Sequence, residues 1–75
     1  MELNEFVKKF AKELDETPED VFTPDTIFRQ LDDWSSLSGL SIISMIDEEF
    51  EKQVTGADLR SVSTIKDLYN LIQRK

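Results

Sequence analysis

The sequence contains neither cysteine nor histidine among its 75 residues. Without cysteine, the chain can form no disulfide and no thiolate metal site. Without histidine, it lacks the commonest general base, the usual activator of serine and cysteine nucleophiles, and the imidazole ligand of zinc. A carboxylate pair is the main route to catalysis that remains. We therefore expect no enzymatic activity, no catalytic residue and no bound metal.

Basic residues are also scarce. Nine Lys and Arg face 16 Asp and Glu, which gives a formal net charge of −7. An acidic chain repels phosphate backbones and anionic membrane surfaces, so neither nucleic acid nor a membrane is an expected partner. A basic patch on another protein is the natural complement.

Long apolar runs are missing too, which excludes a signal-peptide core and a membrane span. The hydrophobic fraction of 39% nevertheless favours a folded domain over a disordered acidic chain. We predict a single cytoplasmic domain over residues 1–75 that works as a monomer.

What the sequence does contain is helical periodicity. Apolar residues recur at steps of three and four from Leu3 to Leu14, which predicts a first amphipathic helix. Its stripe consists of Leu3, Phe6, Val7, Phe10, Ala11 and Leu14.

Both prolines, Pro18 and Pro24, fall within residues 17–35, which we interpret as a long connection. Each follows a threonine, a pair typical of a helical turn with Thr as N-cap and Pro at its first position. The apolar residues expected to pin this connection to the bundle are Val21, Phe22, Ile27, Phe28 and Leu31.

A second helix is predicted over residues 36–51. Its expected buried stripe consists of Leu37, Leu40, Ile43, Met45, Ile46 and Phe50, with Ile42 at the edge. Gly39 costs helix propensity, and its small size would permit a close approach near the helix start.

Two further helices complete the prediction. A short one spans residues 55–61, with Thr55 as cap, Asp58 three residues on, and Ala57 and Leu59 inside. The last starts at Ser63 or Thr64, where Thr64-Ile65-Lys66-Asp67 is typical of a capping box. Its stripe consists of Ile65, Leu68, Leu71 and Ile72. The fold class is all-α, a bundle of three longer helices and one short helix.

The most informative stretch is Ser35-Ser36-Leu37, where the long connection meets the second helix. The free N–H groups and partial positive charge of a helix N-terminus stabilise a phosphate group. A phosphodiester on Ser36 would be well placed there. The simpler interpretation is that Ser35 or Ser36 only caps the helix.

The whole chain resembles the acyl carrier protein family. In that family an Asp-Ser-Leu motif opens the second helix, which ends in an acidic run followed by Phe. Here Ser35-Ser36-Leu37 and Asp47-Glu48-Glu49-Phe50 stand at the corresponding spacing. Thr23-Pro24-Asp25-Thr26 is similar to the family's long first loop, and Val62-Ser63-Thr64-Ile65 to its entry into the last helix.

The resemblance implies a four-helix bundle with a long first loop and a short third helix. It implies that Ser36 accepts 4'-phosphopantetheine from coenzyme A through a phosphopantetheinyl transferase. The arm's thiol then holds an acyl group as a thioester for fatty-acid, polyketide or related biosynthetic enzymes. It also implies an interior that opens around the acyl chain, for which the candidate lining residues are Ile42, Ile43 and Ile46.

Partners of the family dock basic patches on the second helix. The expected partner-binding residues here are Ser35, Leu37, Ser41, Asp47 and Glu48. Ser35 replaces the family's Asp, which helps to engage the transferase, and Asp33 is the nearest candidate substitute. Ser38 and Ser41 replace acidic residues of fatty-acid carriers, which favours a specialised carrier.

Two other functions stay open at this stage. An aminoacyl or peptidyl carrier shares the arm and the fold, although the acidic run after the second helix favours the acyl type. The other is a non-enzymatic helical interaction module with Ser36 as a mere cap. Trp34, the only tryptophan, is interpreted as packing on the bundle rather than as a partner anchor.

Overall fold

A computed structural model describes residues 2–32 and 34–75 of the chain. These residues form four α-helices, α1 (Leu3–Glu13), α2 (Ser36–Phe50), α3 (Gly56–Ser61) and α4 (Ile65–Arg74). The predicted all-α bundle with a short third helix is confirmed. Asp33, which was suggested to substitute for the family's aspartate, lies outside the described residues. None of the helices in the described ranges has the length and apolar character needed to cross a bilayer.

The core forms where α1 packs against α2 and α4. The predicted stripe of α1 is confirmed, since Phe6, Val7, Phe10 and Ala11 are buried. Burying one large apolar side chain contributes about 1.5–3 kcal/mol, so a few such residues dominate the stability of a small domain. The large side chains with almost no exposed surface are Phe6, Phe10, Phe28, Ile42, Ile46, Ile65, Leu68 and Ile72.

The long connection between α1 and α2 contains two 3₁₀ turns, Glu19–Val21 and Phe28–Gln30. The sequence predicted Thr17 as the cap of the first turn and Pro18 as its first residue. This prediction is wrong by one residue, because Pro18 is the cap and the turn starts at Glu19. The short turn predicted at Thr23 and Pro24 is present, because the N–H of Thr26 donates to the carbonyl of Thr23 at 3.1 Å. The N–H of Thr23 also donates to Oγ1 of Thr26 at 2.8 Å, and the turn does not continue into a helix.

Only some of the predicted pins reach the core. Phe22 and Phe28 are buried and Leu31 is half-buried, whereas Val21 and Ile27 are 44% and 41% exposed. Ile27 instead forms an isolated antiparallel bridge with Thr64. Nearby, the N–H of Lys66 donates to the carbonyl of Pro24 at 2.9 Å. The backbone therefore ties this part of the connection to the start of α4, without burial of the side chain.

The predicted buried stripe of α2 is wrong at its first turns and at Ile42, which was expected at the edge of the stripe and is fully buried. Leu37 and Leu40 are 74% and 60% exposed, and the small residues Ser38 and Gly39 are buried in their place. The buried face continues through Ile42, Met45 and Ile46 at helical spacing. Because apolar residues occur on almost every side of this helix, the position of its neighbours decides which ones are buried.

Reciprocal side-chain and backbone hydrogen bonds open α3 and α4. The Thr55 hydroxyl accepts from the N–H of Asp58 at 3.1 Å, and an Asp58 carboxylate oxygen accepts from the N–H of Thr55 at 3.0 Å. Thr64 and Asp67 repeat this arrangement. Both predicted caps are confirmed, although Ala57 is exposed rather than inside.

The two capping carboxylates make stability depend on pH. The hydrogen bond from the Thr55 N–H holds the pKa of Asp58 below its ordinary value of 3.8, and the ammonium group of Lys75 adds to the effect. The Thr64 N–H lowers the pKa of Asp67 in the same way. A carboxyl group whose pKa is lower in the folded state favours folding above its ordinary pKa, and this contribution is lost as the pH falls through the folded pKa.

We therefore expect the free energy of unfolding to decrease as the pH falls below about 4. Urea unfolding at a series of pH values measures this decrease. Asp67→Asn removes one titrating cap and should flatten the curve, whereas Asp25→Asn changes an exposed aspartate outside any capping box. An acid slope that is the same in Asp67→Asn and in the native chain would contradict the assignment.

Candidate functional site

Ser35 and Ser38 fix the start of α2 through a reciprocal pair of hydrogen bonds. The Ser35 hydroxyl accepts from the N–H of Ser38 at 3.4 Å, and the Ser38 hydroxyl accepts from the N–H of Ser35 at 3.2 Å. Of the two serines that sequence reasoning left open as the cap, Ser35 is therefore the capping residue. Ser36 is the first residue of the helix, and its side chain is exposed.

The position of Ser36 suits an attached anion. It lies among the first N–H groups of a helix of 15 residues, where the partial positive charge of the helix is concentrated. A phosphate on its hydroxyl would meet these donors, and capping does not require the hydroxyl. The group can point into solvent while its backbone stays part of a rigid element.

Trp34 holds the segment immediately before the two serines. Its ring stacks on Phe10 with a centroid separation of 6.3 Å and an interplanar angle of 8°. It also contacts Phe28 at 5.0 Å between centroids. The side chain is half-buried, so the predicted packing role is confirmed. These contacts anchor the end of the connection, and with it Ser36, to α1.

A groove of about 470 Å³ lies beside Ser35 and Ser36, between α2 and α3. Its apolar lining consists of Phe28, Trp34, Gly39, Leu40, Ile43 and Leu59. Of the three isoleucines expected around a cavity, only Ile43 lines this groove, whereas Ile42 and Ile46 are buried in the core. The groove can receive a flexible, largely apolar group that starts from Ser36.

A second depression, of about 570 Å³, lies on the α1 side of α2. It brings together Leu37, Ser41 and Glu48 of the predicted partner-binding residues, with Leu40 beside them. Ser35 and Asp47 do not line it, since Ser35 borders the groove and Asp47 lies beside the loop after α2. Sequence reasoning missed Leu40 as a surface residue, although the small residues Ser38 and Gly39 signalled which face would be buried.

The acidic run at the end of α2 is only partly available to a partner. Glu49 forms an ion pair with Lys9 of α1 at 3.1 Å. Asp47 and Glu48 are exposed and have no ion pair within the described part of the chain. The negative charge available for docking on this run therefore includes Asp47 and Glu48. In residues 2–32 and 34–75, no group of three or more acidic side chains is arranged to hold a metal ion.

Sequence reasoning also missed two arginines at the groove, Arg29 and Arg60. Arg29 donates from Nη1 to the carbonyl of Leu59 at 2.6 Å, which joins the connection to α3. No motif signalled these residues, because they lie 31 positions apart and belong to different elements.

A small acidic helical bundle that presents an exposed serine at a helix tip, next to an apolar groove, has the features of a carrier domain. Comparison with protein families supports this class, because the family described as "Phosphopantetheine attachment site" matches residues 4–72. The chain therefore belongs to this phosphopantetheine-binding family, whose carrier domains attach 4'-phosphopantetheine covalently. Such domains work with a phosphopantetheinyl transferase and with partner enzymes. No curated protein and no solved structure gives a significant match.

Gly39 offers a test of how tightly the groove floor is packed. A methyl group there would lie 3.6 Å from Cδ1 of Leu59 and 3.8 Å from Cζ2 of Trp34, both ordinary van der Waals distances. Because alanine also has a higher helix propensity, we expect Gly39→Ala to raise the free energy of unfolding by about 1 kcal/mol.

Chemical unfolding measures the gain, with Ser44→Ala as an exposed control on the same helix. The gain at Gly39 should be the larger of the two. A loss of stability in Gly39→Ala would show that α2 and α3 approach too closely for a methyl group.

Proposed function

We propose that this chain is an acyl carrier protein. It holds acyl groups as thioesters on a 4'-phosphopantetheine arm attached to Oγ of Ser36, and delivers them to fatty-acid, polyketide or related biosynthetic enzymes. The observation that supports this proposal best is that two neighbouring serines have different roles. Ser35 caps α2, and Ser36 presents an exposed hydroxyl at the same helix end.

The attachment step is a phosphoryl transfer. Oγ of Ser36 forms a bond to the phosphorus that bears the pantetheine, and the bond from that phosphorus to the nucleotide half of coenzyme A breaks. A base of the transferase is proposed to accept the serine proton, and the nucleotide half of coenzyme A leaves with the electrons of the broken bond. The helix N-terminus then stabilises the new phosphodiester.

The arm supplies the thiol that this cysteine-free chain lacks. When bound, it provides thioester chemistry, whereas the protein supplies position and recognition. The Ser35–Ser38 cap and the stacked Trp34 fix the attachment point. The isolated chain is accordingly proposed to have no turnover of its own.

Recognition by partners is proposed to use the exposed face of α2. Leu37 and Leu40 provide an apolar centre, and Asp47 and Glu48 provide charge at the far end of the helix. A complementary enzyme would present an apolar contact next to lysines or arginines. We further propose that the domain works as a monomer in the cytoplasm, and that the acidic run favours acyl over aminoacyl or peptidyl cargo.

Incubation with coenzyme A and a broad-specificity phosphopantetheinyl transferase tests the attachment. Intact mass should rise by one phosphopantetheine unit, and Ser36→Ala should abolish the rise because no oxygen remains to attack. Ser35→Ala should still gain the arm, despite losing about 1 kcal/mol of cap stability. Ser35→Asp keeps a capping oxygen and restores the family's acidic residue, so it should be modified faster.

Absence of a mass increase in the native chain would contradict the proposed attachment. A mass increase that persists in Ser36→Ala would place the attachment elsewhere.

Charge reversal tests the partner face. We expect Asp47→Lys combined with Glu48→Lys to raise the KM of a partner acyltransferase for the loaded carrier by about three- to tenfold at low salt. The domain should stay folded, because both side chains are exposed. Glu16→Lys combined with Asp15→Lys makes the same change of charge in the exposed segment after α1 and should leave KM unchanged. Equal KM values for the two folded double variants would contradict docking at this end of α2.

A further inference from the structure

The charges around the groove differ from those of the rest of the molecule. Among the described residues that line it, the only charged side chains are Arg29 and Arg60, and no carboxylate takes part. The chain as a whole carries a net charge of −7. Four other depressions of the described surface each include Asp or Glu in their linings. Two cations are thus concentrated where the flexible arm would begin.

Arg29 is held in place by the structure. Its Nη1 donates to the Leu59 carbonyl at 2.6 Å, and its guanidinium carbon lies 5.4 Å from the centre of the Phe28 ring. A guanidinium has five N–H donors, so one backbone hydrogen bond leaves the others available. Arg29 is therefore a cation that is fixed in position and has further N–H donors available to bind an anion.

Arg60 lies against the start of α3. A Cβ atom at Gly56 would be 3.4 Å from Nη1 of Arg60, so this guanidinium packs closely over a residue that has no side chain. No hydrogen bond or ion pair involves Arg60 within the described part of the chain. Its charge is uncompensated by any described neighbour and faces the same groove as Ser36.

We propose that Arg29 and Arg60 form an anion subsite in this groove, which binds phosphate or carboxylate oxygens carried by the arm. The inference rests on the proposed carrier function. Guanidinium groups bind both kinds of oxygen through paired N–H donors. Two groups on a loaded arm have this chemistry: the phosphodiester at Ser36, and a carboxylate at the end of a dicarboxylic acyl group. The apolar lining beside the arginines suits the neutral part of such an arm.

Free probes test the subsite on the unmodified chain, so the outcome does not depend on attachment at Ser36. The first pair is pantetheine and 4'-phosphopantetheine, which differ by the phosphate. The second pair is S-butyryl- and S-succinylpantetheine, which differ at the end of the acyl group by a carboxylate. Binding is followed by NMR at the Trp34 indole and at the arginine Nε–H groups, because these side chains line the groove.

We expect the anionic probe of at least one pair to bind about fivefold more tightly than the neutral probe of the same pair. Two solvent-exposed ion pairs can supply a preference of this size. The pair that shows the preference identifies the phosphate or the carboxylate as the source. Arg60→Gln should reduce the preference without unfolding the domain, since Arg60 makes no hydrogen bond or ion pair with the described residues that would be lost. Arg74→Gln removes the same charge from the last turn of α4 and should retain the preference in full.

Equal affinities within both pairs, or no binding at the groove by any probe, would overturn the proposal. The proposal would also be overturned if the preference for the anionic probe were unchanged in two variants. These are the single variant Arg60→Gln and the double variant that combines Arg29→Lys with Arg60→Gln. Arg29→Lys keeps a positive charge beside Phe28, so the combined variant limits the risk that the connection detaches from α3.

Discussion

Aromatic packing around Phe10 holds the long connection against the helices, and the geometry of the site depends on it. The Phe10 ring contacts Phe22, Phe28 and Trp34, at centroid distances of 6.1, 5.6 and 6.3 Å. These three residues are spread along the connection, so one α1 side chain contacts it at three points. A small domain without disulfides has few other means of ordering so long a segment. The last ring in the series, Trp34, directly precedes the cap of α2.

The sequence was most informative where periodicity and capping chemistry were unambiguous. The stripe of α1 and the Thr-x-x-Asp caps of α3 and α4 were predicted residue by residue and are present. The first turns of α2 were not predictable in the same way, because apolar residues there occupy several faces. The bundle buries Ser38 and Gly39 and leaves Leu37 exposed, an outcome that depends on where Trp34 and Leu59 pack.

The site, like the fold, was predictable where local sequence determines it and not where tertiary packing does. The family resemblance pointed to carriers of phosphopantetheine, and the family match over residues 4–72 agrees with it. The sequence left open which of Ser35 and Ser36 caps the helix, and the structure assigns the cap to Ser35 and leaves Ser36 exposed. The arginines of the groove escaped notice because their proximity is created by tertiary packing. Arg29 donates to the Leu59 carbonyl of α3 from a position directly after the buried Phe28.

The capping box at the start of α2 consists of two hydroxyl groups, whereas those of α3 and α4 each pair a threonine hydroxyl with an aspartate carboxylate. A phosphodiester on Ser36 would therefore have an uncharged neighbour at position 35, where the resemblance to acyl carrier proteins leads one to expect aspartate. Like charges at adjacent residues repel each other and compete for the same helix-end amides. With serine at this position, the full electrostatic benefit of the helix tip would go to a phosphodiester on Ser36. If Ser36 carries the arm as proposed, the chain would lack an acidic contact for the transferase at position 35 but would have no like charge beside the modified serine.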